Sequence, residues 1–112
     1  MILYSIKGFD KIKQDELLNV SNPIRVIMNA RKYFNDPDIK VYLSTRKKSK
    51  YAIYNPEKNK YIHFGHMDFE DYTHSLNETK RTNYLNRSSN IKGDWINDKY
   101  SPNNLSINLL WQ

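Results

Sequence analysis

The segment from His63 to His74, HFGHMDFEDYTH, holds the residues of this chain whose types are best suited to chemistry. It contains all three histidines of the chain and three carboxylates, namely His63, His66, Asp68, Glu70, Asp71 and His74. Imidazole and carboxylate groups are ligands for zinc, manganese or iron. The candidate metal ligands are therefore His63, His66, Asp68 and His74. Their spacing is not specific, because a strand through Phe64 would turn His63 and His66 to opposite faces. We therefore expect no bound metal and no other cofactor.

The same segment supports one catalytic alternative, a metal-dependent nuclease built from a β-hairpin and a following helix. In such a site a histidine acts as general base on water, and a helix donor holds the cation that neutralises the leaving phosphate. His63 or His66 would be the base, and Asn83 or Asn86 would be the donor. The predicted helix has no histidine, and its one carboxylate is Glu78 in the first turn. An enzyme is therefore less well supported than a binding protein.

Basic residues predict attraction to a polyanion. Residues 1–50 carry eleven Lys and Arg against five Asp and Glu, whereas residues 51–112 carry seven of each kind. Each phosphate that a cation neutralises releases condensed counterions and adds affinity that does not depend on sequence. The candidate nucleic-acid-binding residues lie in one loop and one helix, and they are Arg46, Lys47, Lys48, Lys50, Lys80, Arg81 and Arg87. A solvated lysine-rich loop explains the first four equally well.

The size and composition indicate one folded domain. A chain of 112 residues closes a modest core, and nine Tyr, four Phe and two Trp make that core aromatic-rich. The chain has no cysteine, which excludes disulfides and thiolate metal sites. No leader and no long apolar run is apparent, so we expect an intracellular protein without membrane contact. Three parts are expected: residues 1–38 helical, residues 39–64 antiparallel strands, and residues 65–112 loop and helices.

Capping residues, turn residues and hydrophobic periodicity predict the helices and strands that position these residues. A short strand covers Ile2–Ile6, and Asp10 caps a helix that runs to about Val20. A better helix follows the Asn22 cap and ends at the turn 35–38. The expected strands are Ile39–Leu43, Tyr51–Tyr54 and Lys60–Phe64. The basic loop 44–50 and the turn 55–59 separate these strands.

The later part of the chain predicts two helices. The first is Asn77–Arg87, and the second follows the cap and proline at Ser101 and Pro102. The second helix is too short to persist alone, so it must dock on the sheet. The aromatic residues expected to join this last segment to the sheet are Tyr72, Tyr84, Trp95 and a buried Trp111. The predicted fold class is α+β: a single small domain with an antiparallel three- to four-stranded sheet packed with short helices.

Several runs in residues 40–112 resemble an uncharacterised family of small basic proteins of giant nucleocytoplasmic DNA viruses and related algal viruses. The runs are KYAIYNPEKNKYIHFG, DYT, KRTNYLNR, GDW and YSPNNLSINLLW. The matching residues are His63, Phe64, Gly65, Asp71, Tyr72, Thr73, Arg81, Tyr84, Arg87, Leu109, Leu110 and Trp111. Where the family pattern has His, Lys, Asp and a second His, this chain has Ser75, Leu76, Asn77 and Ser88. These replacements weaken the case for a catalytic His/Asp pair, unless His74 substitutes by a one-residue shift.

The resemblance implies a viral origin, which agrees with the abundance of Asn, Lys, Ile and Tyr, whose codons are AT-rich. The function predicted from the sequence is a non-enzymatic, virus-encoded basic protein that binds DNA or RNA, or an acidic virion protein. A protein-only scaffold that self-associates as a homo-oligomer is the first alternative, and the nuclease is the second. The expected location is the host cytoplasm or a viral factory, and also the virion.

Overall fold

A four-stranded sheet in the order β1-β2-β3-β4 organises the part of the chain that the structure describes. The computed structural model describes residues 3–6, 8 and 10–112. The strands are β1 (Tyr4–Ser5), β2 (Tyr42–Leu43), β3 (Ser49–Asn55) and β4 (Lys60–His66). The three strands predicted after residue 38 are present and pair antiparallel, but the first is shorter than predicted and the other two are longer. Ile2, the first residue of the predicted N-terminal strand, lies outside the described residues.

The first strand pairs in a direction that the sequence did not indicate. β1 runs parallel to β2, with Tyr4 opposite Tyr42. A parallel pair requires a crossover connection, and two helices supply it. They are α1 (Lys11–Leu17) and α2 (Pro23–Phe34). The α+β class is confirmed, and the sheet is mixed because of this crossover.

The helices begin where the sequence predicts them, because their capping side chains form hydrogen bonds. Asp10 accepts a hydrogen bond from the backbone N–H of Lys13 at 3.0 Å, and Asn22 accepts one from Arg25 at 3.4 Å. α2 ends at Asn35, whose φ of 49° lies in the left-handed region. Such a residue satisfies the last carbonyls of a helix. The predicted bounds of α2 are therefore confirmed.

The segment after β4 contains more helical structure than expected. A short helix α3 (Tyr72–Ser75) precedes α4 (Glu78–Ser89), which corresponds to the predicted helix Asn77–Arg87 and is capped by Asn77. A 3₁₀ turn (Trp95–Asn97) leads to α5 (Pro102–Leu105) and a π-helical turn (Ser106–Leu110). None of the helices in the described part of the chain is long and apolar enough to cross a membrane.

The last helical segment docks on the core as predicted. Leu105, Leu109, Leu110 and Trp111 are buried in one cluster with core residues of the sheet such as Tyr51 and Phe64. The ring of Tyr84 stacks on Trp111 with centroids 4.2 Å apart and planes at 7°. Arg81 fixes the same end of the chain, because its Nε donates a hydrogen bond to the Trp111 carbonyl at 2.8 Å.

Trp95 is an exception to the predicted aromatic contacts. Its ring is only half-buried and lies outside the core cluster, and its Nε1 donates to the Ile91 carbonyl at 2.7 Å. The contribution of Trp95 to the C-terminal segment comes from its backbone instead. Its carbonyl accepts hydrogen bonds from Ser101 and Asn104. The prediction was wrong for this side chain because the 3₁₀ turn keeps it at the surface.

Gly65 permits the close packing of the last segment on β4. Its φ is +80°, and a Cβ there would lie 2.9 Å from a Leu110 methyl and 3.1 Å from the Lys50 side chain. A larger residue would meet both steric contact and backbone strain.

The burial of Trp111 predicts a large effect of its removal. Trp111→Ala should lower the free energy of unfolding by about 3–5 kcal/mol, because the transfer energy of the ring is lost and a cavity remains. Trp95→Ala is the matched control and should cost less than half as much. Chemical denaturation of both variants measures this difference. A Trp111 cost equal to that of Trp95 would contradict the docking of the last segment on the core.

Candidate functional site

The face of the sheet opposite the core carries one tyrosine from each strand. Along β2 and β3, Leu43, Tyr51 and Ile53 point to the core, so the alternate residues point away from it. These outward residues form a surface that we call the tyrosine face: Tyr4, Tyr42, Tyr54 and Tyr61. The rings of Tyr4 and Tyr54 are 49% and 36% exposed, and the other two are partly buried.

The four rings form a continuous row. Ring centroids lie 5.8 Å apart for Tyr4 and Tyr42, 5.1 Å for Tyr42 and Tyr61, and 5.2 Å for Tyr54 and Tyr61. Tyr54 faces Tyr61 directly across β3 and β4, whereas Tyr42 is opposite Ala52. The small Ala52 side chain lets the Tyr42 and Tyr61 rings meet across the central strand. Burial, and then the neighbouring Tyr61, raises the pKa of Tyr42 above its usual value, so its hydroxyl stays protonated.

His63 lies on the same face of the sheet, opposite Ala52. Its Nδ1 is 2.7 Å from the Ser44 hydroxyl, which accepts a hydrogen bond from the Arg46 backbone N–H at 3.0 Å. Burial lowers the pKa of His63, and the charges of Arg46 and Lys13 lower it further. Because the Ser44 hydroxyl oxygen already accepts the Arg46 N–H, this pairing suits a neutral ring that accepts at Nδ1 and carries its proton on Nε2.

Cations border the tyrosine face on two sides. The Lys40 ammonium lies 5.2 Å from the centre of the Tyr4 ring. At the other side, the turn between β2 and β3 carries Arg46, Lys47 and Lys48, which are exposed. Lys13 of α1 supports this turn, because its Nζ donates to the carbonyls of Ser44 at 2.6 Å and Arg46 at 2.7 Å.

The basic turn divides into paired and unpaired charges. Lys48 forms an ion pair with Asp68 at 3.2 Å. Among the described residues, Arg46 and Lys47 have no such partner, so their charges are available to an anion in solution.

Lys50 requires a correction, because we grouped it with the exposed basic loop. It belongs to β3 and is only 2% exposed. Its Nζ contacts the Asp71 carboxylate at 3.0 Å and donates to the Phe69 carbonyl at 2.6 Å. Burial lowers the pKa of Lys50, and the attraction of Asp71 opposes that shift. Lys50 has no solvent-facing charge to offer to a nucleic acid.

Asp71 connects the Lys50 pair to a buried polar network. It caps α3 by accepting a hydrogen bond from the Thr73 backbone N–H at 3.0 Å. The Thr73 hydroxyl lies 3.3 Å from that of Ser21, which is 2.7 Å from the Tyr51 hydroxyl. Burial is the largest influence on Tyr51 and raises its pKa, so this hydroxyl remains neutral.

The predicted basic residues of α4 do not act together. Arg81 points to the last segment of the chain and lies 5.5 Å from the Tyr72 ring. Lys80 and Arg87 instead line a cleft of about 600 Å³ beside β4, together with His66 and Asn83. We call it the α4 cleft. It lies apart from the tyrosine face, because none of the four tyrosines lines it.

The candidate metal ligands are separated in the structure. His63 bonds to Ser44 on the tyrosine face, whereas His66 lies 3.8 Å from Asp68, and His74 bonds to Glu70. Within the described residues, no group of three or more His, Asp or Glu is arranged to hold a metal ion.

The residues named for the nuclease alternative do not lie in one place. His66 and Asn83 line the α4 cleft together, whereas His63 and Asn86 do not line it.

Comparison with known proteins identifies one related family. Residues 39–88 match the model of a family of unknown function, DUF5754. The match covers less than half of the chain and includes β2, β3, β4, α3 and most of α4. Neither the curated proteins nor the solved structures contain a significant match.

The tyrosine face was not predicted from the sequence. Tyr42, Tyr54 and Tyr61 alternate with buried apolar residues, which is the signal that could have revealed it. The alternation did not assign these residues to the surface, because tyrosine also suits the aromatic core that the composition predicts.

The buried ion pair predicts a non-additive pattern of stability. Lys50→Met leaves the Asp71 carboxylate buried without its cation, and we expect a cost of about 3–5 kcal/mol. Asp71→Asn should be costly for the reciprocal reason. The double variant should cost less than the sum of the two, because no unpaired charge remains in it. Denaturation curves of the four proteins test this, and strictly additive costs would argue against coupling between the two side chains.

The lowered pKa of His63 predicts a loss of stability in acid. The unfolded chain binds a proton near the ordinary value of about 6.5, whereas the folded chain binds it at lower pH. The stabilisation of the fold that comes from keeping His63 neutral is therefore fully present at pH values above the unfolded-state pKa of about 6.5. It is lost as the pH falls through the folded-state pKa. His63→Gln should remove this part of the pH dependence. The free energy of unfolding, compared at about pH 7.5 and about pH 5, should fall more in the parent protein than in the variant. Equal decreases would mean that His63 is not shielded from protonation.

Proposed function

We propose that this protein binds single-stranded nucleic acid on the tyrosine face. The observation that carries the proposal is the continuous row of four tyrosine rings across the sheet, with exposed edges and contacts of 5.1 to 5.8 Å. Nucleic-acid bases stack on aromatic side chains with about 1–3 kcal/mol per base, and every base has a suitable face. A four-stranded sheet with exposed aromatic residues is also the platform of a common RNA-binding module, an analogy of architecture only.

The charges around the tyrosine face suit the phosphates of such a ligand. The chain has a formal net charge of +6, and Arg46 and Lys47 extend from the turn beside the face. Lys40 lies at the opposite border, next to Tyr4. A strand that crosses the sheet between these borders would place its bases over the rings and its phosphates near the cations. Counterion release would then contribute affinity that falls with salt.

His63 gives the face one polar group that can distinguish bases. Its Nδ1 is occupied by Ser44, so the remaining donor is Nε2–H. A donor of this kind pairs with an acceptor on a base edge. Stacking alone tolerates all bases, whereas a hydrogen bond to a base edge would favour bases that present an acceptor there.

The geometry favours single strands over duplexes. The bases of a duplex are stacked on each other and are inaccessible to protein aromatic rings, whereas an unpaired strand exposes its base faces. Binding to an acidic virion protein, self-association and the viral origin stay predictions from the sequence. The scaffold alternative differs in one respect, because a second copy of the chain would then cover the tyrosine face.

Binding to a fluorescent single-stranded oligonucleotide of about twelve nucleotides tests the proposal. The double variant Tyr54→Leu/Tyr61→Leu keeps apolar area but removes the flat rings, and its affinity should fall at least about tenfold. Tyr100→Leu is the matched control, because Tyr100 is a half-buried tyrosine outside the face, and it should bind like the parent protein. Arg46→Gln should reduce the slope of log affinity against log salt by about one.

Two outcomes would overturn the proposal. One is unchanged oligonucleotide binding by the double tyrosine variant, and the other is tighter binding to a duplex of the same length. Sedimentation at matched concentration separates the scaffold alternative. A parent protein that self-associates and binds no oligonucleotide, together with a monomeric double variant, would favour a scaffold.

A further inference from the structure

The α4 cleft is a concave surface that lies apart from the tyrosine face. Its volume of about 600 Å³ is within the range of about 300–1,000 Å³ that small-molecule sites occupy. One wall is a face of α4, and the opposite walls come from the end of β4, the loop that follows β4, and the last segment of the chain.

One side of the cleft is apolar and aromatic. Leu110 and Trp111 form its floor, and Tyr84 is stacked on Trp111. Phe69 lines the cleft although its side chain is 66% exposed, and its ring lies 5.1 Å from that of His66. An exposed phenylalanine beside a concave apolar surface offers a flat contact for a ring.

The other side of the cleft is cationic. Lys80, Asn83 and Arg87 lie three to seven residues apart, which brings them to one face of α4. The Lys80 ammonium lies 3.6 Å from Glu70. Arg87 and Asn83 both line the cleft. Among the described residues, Arg87 has no ion-pair partner and the Asn83 side chain has no hydrogen bond.

The charges of the cleft leave one cation in excess. Lys50 is neutralised by Asp71, and Lys80 by Glu70, which also bonds to His74. His66 is held by Asp68, whose backbone N–H donates a hydrogen bond to the His66 Nδ1 at 3.1 Å. The guanidinium of Arg87 is therefore the uncompensated charge, and its geometry suits a phosphate.

From these contacts we propose that the α4 cleft binds a small ligand that joins a planar ring to a phosphate, of the size of a nucleoside monophosphate. The ring packs against Phe69, the exposed aromatic residue of the apolar side. The phosphate contacts Arg87, and Lys80 adds a longer-range attraction. The Asn83 amide supplies a donor and an acceptor for a polar edge of the ring. The site does not depend on nucleic-acid binding at the tyrosine face.

Calorimetric titration of the whole protein with adenosine and uridine monophosphates tests this inference. At least one of them should bind with one site per chain, and adenosine and inorganic phosphate should each bind more weakly than that nucleotide. Arg87→Gln should weaken binding about tenfold or more, because a charge-assisted hydrogen bond is lost. Arg31→Gln is the matched control, since Arg31 is an exposed arginine of α2 that does not line the cleft, and it should bind normally.

A second variant addresses the apolar side and guards against misfolding. Phe69→Ser removes an exposed ring, so the protein should melt like the parent and still bind the nucleotide several-fold more weakly. Three results would overturn the inference: no binding of either nucleotide, equal losses in the Arg87 and Arg31 variants, and equal affinity for inorganic phosphate alone.

The tyrosine variant distinguishes this site from the proposed nucleic-acid surface. Tyr54→Leu/Tyr61→Leu should bind the nucleotide like the parent protein, because neither tyrosine lines the cleft. Loss of nucleotide binding in that variant would place the ligand on the tyrosine face and overturn the inference. Failure of oligonucleotide binding would leave the cleft result unaffected.

Discussion

The buried ion pair of Lys50 and Asp71 is the contact on which the rest of the structure depends. Lys50 is 2% exposed and Asp71 is 1% exposed, so neither charge is stabilised by water. Besides Asp71, the ammonium contacts the Phe69 carbonyl, and the Asp71 backbone N–H donates to the Val20 carbonyl at 2.9 Å. The pair thus joins the helical N-terminal part, β3 and the loop before α3. A break on either side would leave an uncompensated charge in the interior.

This constraint explains how two different surfaces arise on one small sheet. At one end of β3 and β4, the outward positions are occupied by Lys50 and Gly65. These positions are covered by the buried ion pair and by the last segment of the chain. The remaining outward positions, at the other end, carry the tyrosine row. The α4 cleft forms where the last segment meets the loop that Asp71 holds. The buried Lys50 therefore lies between the tyrosine face and the α4 cleft, which it helps to line.

The sequence predicted the parts of this fold that depend on local signals. The caps at Asp10, Asn22 and Ser101, and the burial of Trp111, are of that kind. It could not predict the partner of Lys50, because a lysine beside Arg46 and Lys48 has the pattern of a solvated loop until the register of β3 is known. The separation of Lys80 and Arg87 from the basic turn likewise depends on tertiary packing. The tyrosine face required both the register and the knowledge of which face the helices cover.

We propose that the tyrosine face binds the bases of a single strand. Observation of the tyrosine ring protons by NMR during titration with a thymidine oligonucleotide tests it most directly. Stacked bases should shift the ring resonances of Tyr42, Tyr54 and Tyr61, while those of Tyr33 and Tyr100 stay in place. Shifts confined to Tyr33 or Tyr100, or no shift in any ring at saturating oligonucleotide, would contradict the claim.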